Sequence, residues 1–181
     1  MKKLQIFALS LMLSATAAFA HSDAFKPEFV DTLVGPYLEM QKSLAQDDLK
    51  AAQKGAKHYL EAMKKAPHEG EAHEETAELT APAKAITAAS DLKSARNAFL
   101  SLSKEMTLLV KHNGTNKDTP LYIAHCPMAF DNKGGSWLQS EKTVSNPYYG
   151  SMMLRCGSIK KQIAGKEPGA DSKKGHHGHS H

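Results

Sequence analysis

The feature that most constrains the fold of this chain is a long amphipathic segment between Asp91 and Lys111. Its apolar residues recur every three or four positions, which is the spacing of one face of an α-helix. They are Leu92, Ala95, Phe99, Leu102, Met106 and Leu109. Asp91 is a suitable N-cap, and Gly114 follows where the helix should end. The pattern therefore predicts a helix that must bury one face against other helices.

Two upstream segments show the same periodicity. The first runs from Phe25 to Leu44, and Gly35-Pro36 predicts a kink or a short break within it. The second should begin with Asp47 or Asp48 as its cap and end at Pro67. We therefore predict a mainly α fold, an antiparallel bundle of about four helices followed by a loop-rich Cys/Met segment near the C-terminus.

The stretch between the second and the last helix is less regular. Residues 68–78 are acidic and have few large apolar side chains, which indicates a solvated loop or an exposed helical turn. A short helix should follow, with Thr80 as its cap, Pro82 in its first turn and Ile86 facing inward. After Pro120, the segment Leu121-Tyr122-Ile123-Ala124 is strand-like and leads directly to His125 and Cys126.

The two ends of the chain differ from this central part. Residues 1–20 have the basic start, apolar run and Ala18-Phe19-Ala20 cleavage site of a secretory signal, so we expect a periplasmic protein cleaved after Ala20. Cleavage would lower the formal net charge from +4 to +2, which does not favour binding to nucleic acid. Residues 21–164 should form one domain. Residues 165–181 are rich in Gly, Lys and His and should be disordered.

The two cysteines of the chain each lie close to methionines. One group is His125-Cys126-Pro127-Met128, and the other is Met152-Met153-Leu154-Arg155-Cys156. Thiolate and thioether sulfur select soft ions such as Cu(I). If the second group is helical, both methionines share a face with Cys156, whereas in a strand only Met152 does. The residues thus indicate a two-Cys, one- or two-Met site, with His125 as an optional ligand.

A disulfide is the main alternative for the same two residues. An exported protein meets an oxidising environment, and a bond between Cys126 and Cys156 would stabilise the fold by roughly 3 to 4 kcal/mol in the chain-entropy model. The sequence has no C-x-x-C or H-E-x-x-H motif and no phosphate-binding glycine loop. We therefore expect a protein that is not an enzyme.

The motif from His125 to Gly157 resembles the domain of unknown function 3347 family of bacterial proteins. The residues that carry the resemblance include Trp137-Leu138, Asn146-Pro147-Tyr148-Tyr149-Gly150 and Met153-Leu154-Arg155-Cys156-Gly157. Members of the family occur as stand-alone exported proteins and as domains appended to periplasmic adaptors of copper/silver efflux systems. The resemblance implies a helical bundle associated with heavy-metal handling. Its matching positions are Cys126, Met128, Met153 and Cys156, and Met152 is an additional methionine.

Histidine supplies a second set of candidate ligands. The C-terminal tail contains His176, His177, His179 and His181, a composition that binds Cu(II), Ni or Zn. A cluster of His and Glu between His68 and Glu75 is better explained as a solvated loop. After signal cleavage His21 would become the N-terminus and could offer two nitrogen donors to Cu(II), although no partner histidine can be identified.

The sequence thus predicts a periplasmic copper-binding protein that sequesters Cu(I) or passes it to an efflux partner. The alternative is a non-metal interaction module of an envelope complex, in which the disulfide holds the loop in place.

Overall fold

The computed structural model describes residues 25–67 and 72–166 of the 181-residue chain. Four long helices come first: α1 (Pro27–Ala45), α2 (Leu49–Met63), α3 (Ala72–Ala88) and α4 (Leu92–Asn113). Three strands follow: β1 (Leu121–Cys126), β2 (Gly135–Gln139) and β3 (Ser158–Ala164). The mainly helical bundle predicted from the sequence is confirmed.

Two of the predicted helix caps are formed. The Asp48 carboxylate accepts a hydrogen bond of 2.9 Å from the Ala51 amide, and the Asp91 carboxylate accepts one of 2.7 Å from the Ser94 amide. Each bond satisfies one of the amide groups that the first turn of a helix leaves without a partner. Gly114 ends α4 with φ of 74°, a conformation that favours glycine.

The structure corrects two expectations about the helices. Helix α1 has no break at Gly35-Pro36 and continues as one helix through both residues. Leu33 and Tyr37, on either side, are both buried, and their packing offsets the hydrogen bond that proline removes. Helix α3 begins at Ala72 rather than at Thr80, so Pro82 lies in its interior.

The early start of α3 has a simple cause in its packing. Leu79, Ala83 and Ile86 are fully buried at helical spacing, and Glu75, one turn earlier, is only 7% exposed. The contact face therefore extends into a segment whose composition suggested a loop. Tertiary burial, rather than the local sequence, decides where this helix begins.

The C-terminal segment is more ordered than the sequence predicted. Its strands form one antiparallel sheet in the order β2-β1-β3, with β1 in the centre. The strand predicted at Leu121–Ala124 is confirmed and extends to Cys126.

The sheet packs on the bundle through aromatic residues. The fully buried Trp137 meets Tyr148 edge-on with ring centroids 5.5 Å apart, and Tyr37 of α1 stacks on Phe99 of α4 at 5.1 Å. The Tyr37 hydroxyl accepts a 3.0 Å hydrogen bond from the Leu138 amide and pairs with the Ser103 hydroxyl at 2.8 Å. These contacts fix the sheet, and hence the cysteine-bearing loops, against α1 and α4.

Candidate functional site: a pair of cysteine thiols

The structure brings together the two cysteines, which are 30 residues apart in the sequence. Cys126 and Cys156 are both free thiols, and their Sγ atoms lie 2.9 Å apart. The sheet explains this proximity, because β1 and β3 are antiparallel neighbours in which His125 pairs with Ser158. Cys126 ends β1 and Cys156 precedes β3 by two residues, so the two side chains meet at one end of the strand pair.

Gly157 lets the Cys156 segment approach β1 this closely. Its φ is 121°, which side chains other than hydrogen rarely allow. A Cβ atom at this position would lie 2.7 Å from the His125 carbonyl oxygen and 3.3 Å from the Trp137 ring. The glycine is therefore required by both its conformation and the absence of space beside it.

Asn146 holds the same segment from the other side. Its side chain is completely buried and donates a 2.9 Å hydrogen bond to the Cys156 carbonyl. The side-chain oxygen of Asn146 accepts hydrogen bonds from the backbone amides of Tyr148 and Tyr149 at 2.8 Å and 3.3 Å. The backbone amide of Asn146 also donates to the Leu154 carbonyl. One buried side chain thus fixes the loop that presents Cys156.

The two thiols have different environments. Cys126 is completely buried, whereas Cys156 is only partly buried and can be approached from solvent. The hydrogen bond with Cys126 and, to a lesser extent, desolvation raise the pKa of Cys156 above its ordinary value. The Cys156 thiol therefore holds its proton more firmly than a free cysteine does, and a metal ion that binds it must displace that proton.

The three candidate methionines lie in different positions. A 3₁₀ turn from Gly150 to Met153 precedes Cys156, and the Cys156 amide donates a 2.9 Å hydrogen bond to the Met153 carbonyl. This bond closes a tight turn, so the backbones of Met153 and Cys156 lie close together, and the Met153 side chain is partly buried. Met152 is 79% exposed. The strand alternative for this segment is therefore wrong.

Met128 lies two residues beyond Cys126 at the start of a tight turn. Its side chain is 45% exposed, and the Tyr149 hydroxyl donates a 2.7 Å hydrogen bond to its carbonyl oxygen. This bond ties the segment after Cys126 to the loop before Cys156, so the two halves of the motif are joined by backbone contacts as well as by the thiols.

His125 is turned away from the thiol pair. Successive side chains of a strand point to opposite faces, so His125 and Cys126 face different ways. The His125 Nδ1 atom lies 2.9 Å from the Ser136 hydroxyl, on the neighbouring strand β2. Within residues 25–67 and 72–166, no three His, Cys, Asp or Glu side chains come together as a metal-binding group.

Other candidate ligands lie outside the described residues. They are His21, the tail residues His176, His177, His179 and His181, and His68 of the acidic cluster. The part of that cluster from His73 to Glu75 belongs to α3, where His73 and Glu74 are exposed.

The donor set fits a soft metal ion. Two thiolates bound to one tetrahedral ion at about 2.3 Å would be about 3.8 Å apart, so the thiols need to separate by roughly 0.9 Å. Rotation of the partly exposed Cys156 side chain can supply that movement, since only one of the two thiols is enclosed by the core. Met153 can then add a thioether. Cys126, Cys156 and Met153 are the residues that would hold the ion.

An ion pair that the sequence did not indicate positions the 3₁₀ turn. Arg96 of α4 pairs with Asp47 and donates 2.9 Å hydrogen bonds to the Leu44 and Pro147 carbonyls. The other oxygen of the Asp47 carboxylate accepts a 2.9 Å hydrogen bond from the Ser151 amide. The sequence indicates Asp47 only as an alternative helix cap, and its adjacency to Asp48 is the one signal of a separate role.

The fold and the paired thiols define a helical-bundle protein with a small sheet that presents a dithiol site. The model of a family described as protein of unknown function (DUF3347) matches residues 33–118, which span most of α1, the next three helices and the loop after α4. This match supports the resemblance that the sequence indicated. The match covers the helices and not the Cys/Met motif.

Comparison of the chain with curated proteins and with solved structures found no match. Among the residues that the structure describes, no helix has both the length and the apolar character needed to span a membrane.

Proposed function

We propose that this chain is an exported copper-binding protein that holds one Cu(I) ion between Cys126 and Cys156. The observation that carries the proposal is the 2.9 Å separation of two free thiols from distant parts of the chain. Thiolates with a thioether neighbour form a ligand set that prefers Cu(I) to harder ions. The proposal places the protein in the periplasm, where it sequesters the ion or passes it to a copper/silver efflux complex.

The burial of the site suits storage and transfer. Cys126 lies in the core and is protected from solvent, whereas Cys156 is accessible to an incoming ligand. An ion could therefore enter and leave by exchange at Cys156 while Cys126 remains bound. Met128 at the surface and the histidines of the tail would be weaker, outer ligands in this proposal, and the tail would take Cu(II), Ni or Zn.

The test is a competition between the reduced protein, lacking Gly175 to His181, and a chromophoric Cu(I) chelator. We expect about one Cu(I) per chain and weaker binding of Zn(II), which proteins usually hold with four nitrogen, oxygen or thiolate ligands. Cys126→Ser should abolish tight binding, and Met153→Leu should weaken it. Met152→Leu is the matched control and should leave it unchanged. Failure of the reduced protein to compete for Cu(I) would exclude a metal site at the thiol pair.

The same proximity also favours the second candidate, a disulfide that stabilises a non-metal interaction module. Two free thiols at this distance need little movement to form a bond. Counting free thiols in protein taken directly from the periplasm, with and without added copper, distinguishes the candidates. Metal-protected thiols should appear after copper addition if the first is correct, whereas a constant oxidised pair supports the second.

A further inference from the structure

A cleft that neither cysteine lines has a chemistry different from that of the thiol pair. It has a volume of about 570 Å³ and lies between the first turns of α4 and the turn that joins β1 to β2. Pockets of roughly 300 to 1,000 Å³ accommodate small organic ligands. Its aromatic side chains are Phe130, Tyr148 and Tyr149, and the exposed Met152 lies at its edge.

The turn that forms one wall has an unusual backbone. Phe130, Asp131 and Asn132 have φ values of 53°, 57° and 64°, so three successive residues other than glycine are left-handed. The left-handed conformation costs roughly 1 to 2 kcal/mol for a residue such as Phe130, whereas aspartate and asparagine tolerate it better. Packing of the Phe130 ring against Tyr148, with centroids 4.9 Å apart, helps to hold the turn. A strained turn at the wall of a cleft indicates a ligand-binding role.

The charges of the cleft are predominantly positive. Lys93 of α4 and Lys133 of the turn both line it, and within the described part of the chain neither side chain has an ion-pair partner. Arg96 also borders the cleft, but its charge is balanced by Asp47. Asp131 is the single carboxylate of the lining. The amide side chain of Asn97 adds a donor and an acceptor without a partner among the described residues.

We infer that this cleft binds a small aromatic carboxylate. The aromatic wall would contact the ring of the ligand, since stacked and edge-on arrangements of aromatic groups are both favourable. Lys93 and Lys133 would attract its carboxylate, and Asn97 would donate a hydrogen bond to it. This site also accounts for the position of Met152, which borders the cleft instead of joining the thiols. The inference does not depend on copper binding.

The experiment uses benzoate as the probe and metal-free, reduced mature protein. Benzoate should shift the backbone amide signals of Asn97, Phe130, Tyr149 and Met152 in a two-dimensional NMR titration. The neutral benzamide, which has the same ring, should bind at least fivefold more weakly. Equal binding of the two ligands, or benzoate shifts confined to other parts of the protein, would overturn the inference.

Two variants change the charge of the cleft in opposite directions, and a third serves as a control. The double substitution Lys93→Gln with Lys133→Gln should weaken the binding of benzoate about tenfold, because two attractive charges are lost. Asp131→Asn should strengthen it about threefold, because a repulsive charge is removed and asparagine tolerates the left-handed conformation. Lys54→Gln, an exposed change on α2, is the control and should have no effect. An unchanged affinity in the double variant, or weaker binding in Asp131→Asn, would contradict the inference.

Discussion

Replacement of Gly157 by alanine should both destabilise the protein and disturb the thiol pair. The new Cβ atom would lie 2.7 Å from the His125 carbonyl oxygen, about 0.7 Å closer than the shortest ordinary van der Waals contact. It would also meet the Trp137 ring at 3.3 Å. Because Trp137 is fully buried, it cannot move without disturbing the core, so the segment bearing Cys156 has to move instead.

The expected magnitude follows from two contributions. A residue with a side chain at φ of 121° is strained by roughly 1 to 3 kcal/mol. Overpacking against a well-packed core typically costs a further 1 to 3 kcal/mol. Partial relaxation reduces their sum, and we expect the free energy of unfolding to fall by about 3 kcal/mol. Displacement of Cys156 from Cys126 should also weaken Cu(I) binding about tenfold, if the proposed metal site is correct.

The assay is urea denaturation of the reduced protein, followed by circular dichroism. Gly35→Ala is the matched control, because that glycine is in α1 and a Cβ atom there would have no neighbour within 4 Å. The control should stabilise the protein by about 0.5 to 1 kcal/mol. A loss smaller than 1 kcal/mol in Gly157→Ala would refute the argument that this glycine is fixed by its conformation and its contact with His125.

Three further predictions follow from the same contacts. Asp47→Asn should lower the free energy of unfolding at pH 7 by about 1 to 3 kcal/mol, because it weakens the bonds of this side chain to Ser151 and Arg96. These bonds hold the pKa of Asp47 below its ordinary value of 3.8, so their contribution is present above that pH and is lost as the pH falls through the folded-state pKa. Denaturation of both proteins across this range should therefore show the difference disappearing in acid. Because the pKa of Cys156 is raised, the apparent Cu(I) affinity should increase as the pH rises above neutral, with proton release measurable by calorimetry in buffers of different ionisation enthalpy. The tail from Gly175 to His181 should take up Cu(II) or Ni(II) at about pH 7.5 and lose it as the pH falls to about 5.5, because histidine binds metal only when neutral. Deletion of the tail should remove this uptake and leave Cu(I) binding at the thiols. Equal loss of both would indicate one composite site.

The outline of the fold follows from patterns within short segments. The helical spacing from Leu92 to Leu109 and the cap at Asp91 predict α4 because each depends on residues within one or two turns. The same local information misplaced the start of α3. There the deciding contacts of Leu79 and Ile86 are with other helices, and the composition of the preceding segment does not reveal them.

The candidate site was only partly predictable. The residue types around Cys126 and Cys156 indicated soft-metal or disulfide chemistry, and the structure places these two thiols together. Which neighbours join them could not be predicted, because this depends on strand register and turn geometry. Those features turn His125 toward Ser136, join the backbones of Met153 and Cys156 in one tight turn, and leave Met152 at the edge of a separate cleft.

The sequence by itself determined the helical class, the caps and the soft-donor character of the sulfur side chains, since these depend on residue type and on spacing along the chain. The tertiary structure alone decided that two thiols 30 residues apart come within 2.9 Å of each other. The reason is that this contact depends on the pairing of β1 with β3 and on the position of the loop before Cys156, both of which are set by residues far away in the sequence. Here Gly157 allows the close approach, and Asn146 and the Asp47–Arg96 pair hold the loop in place.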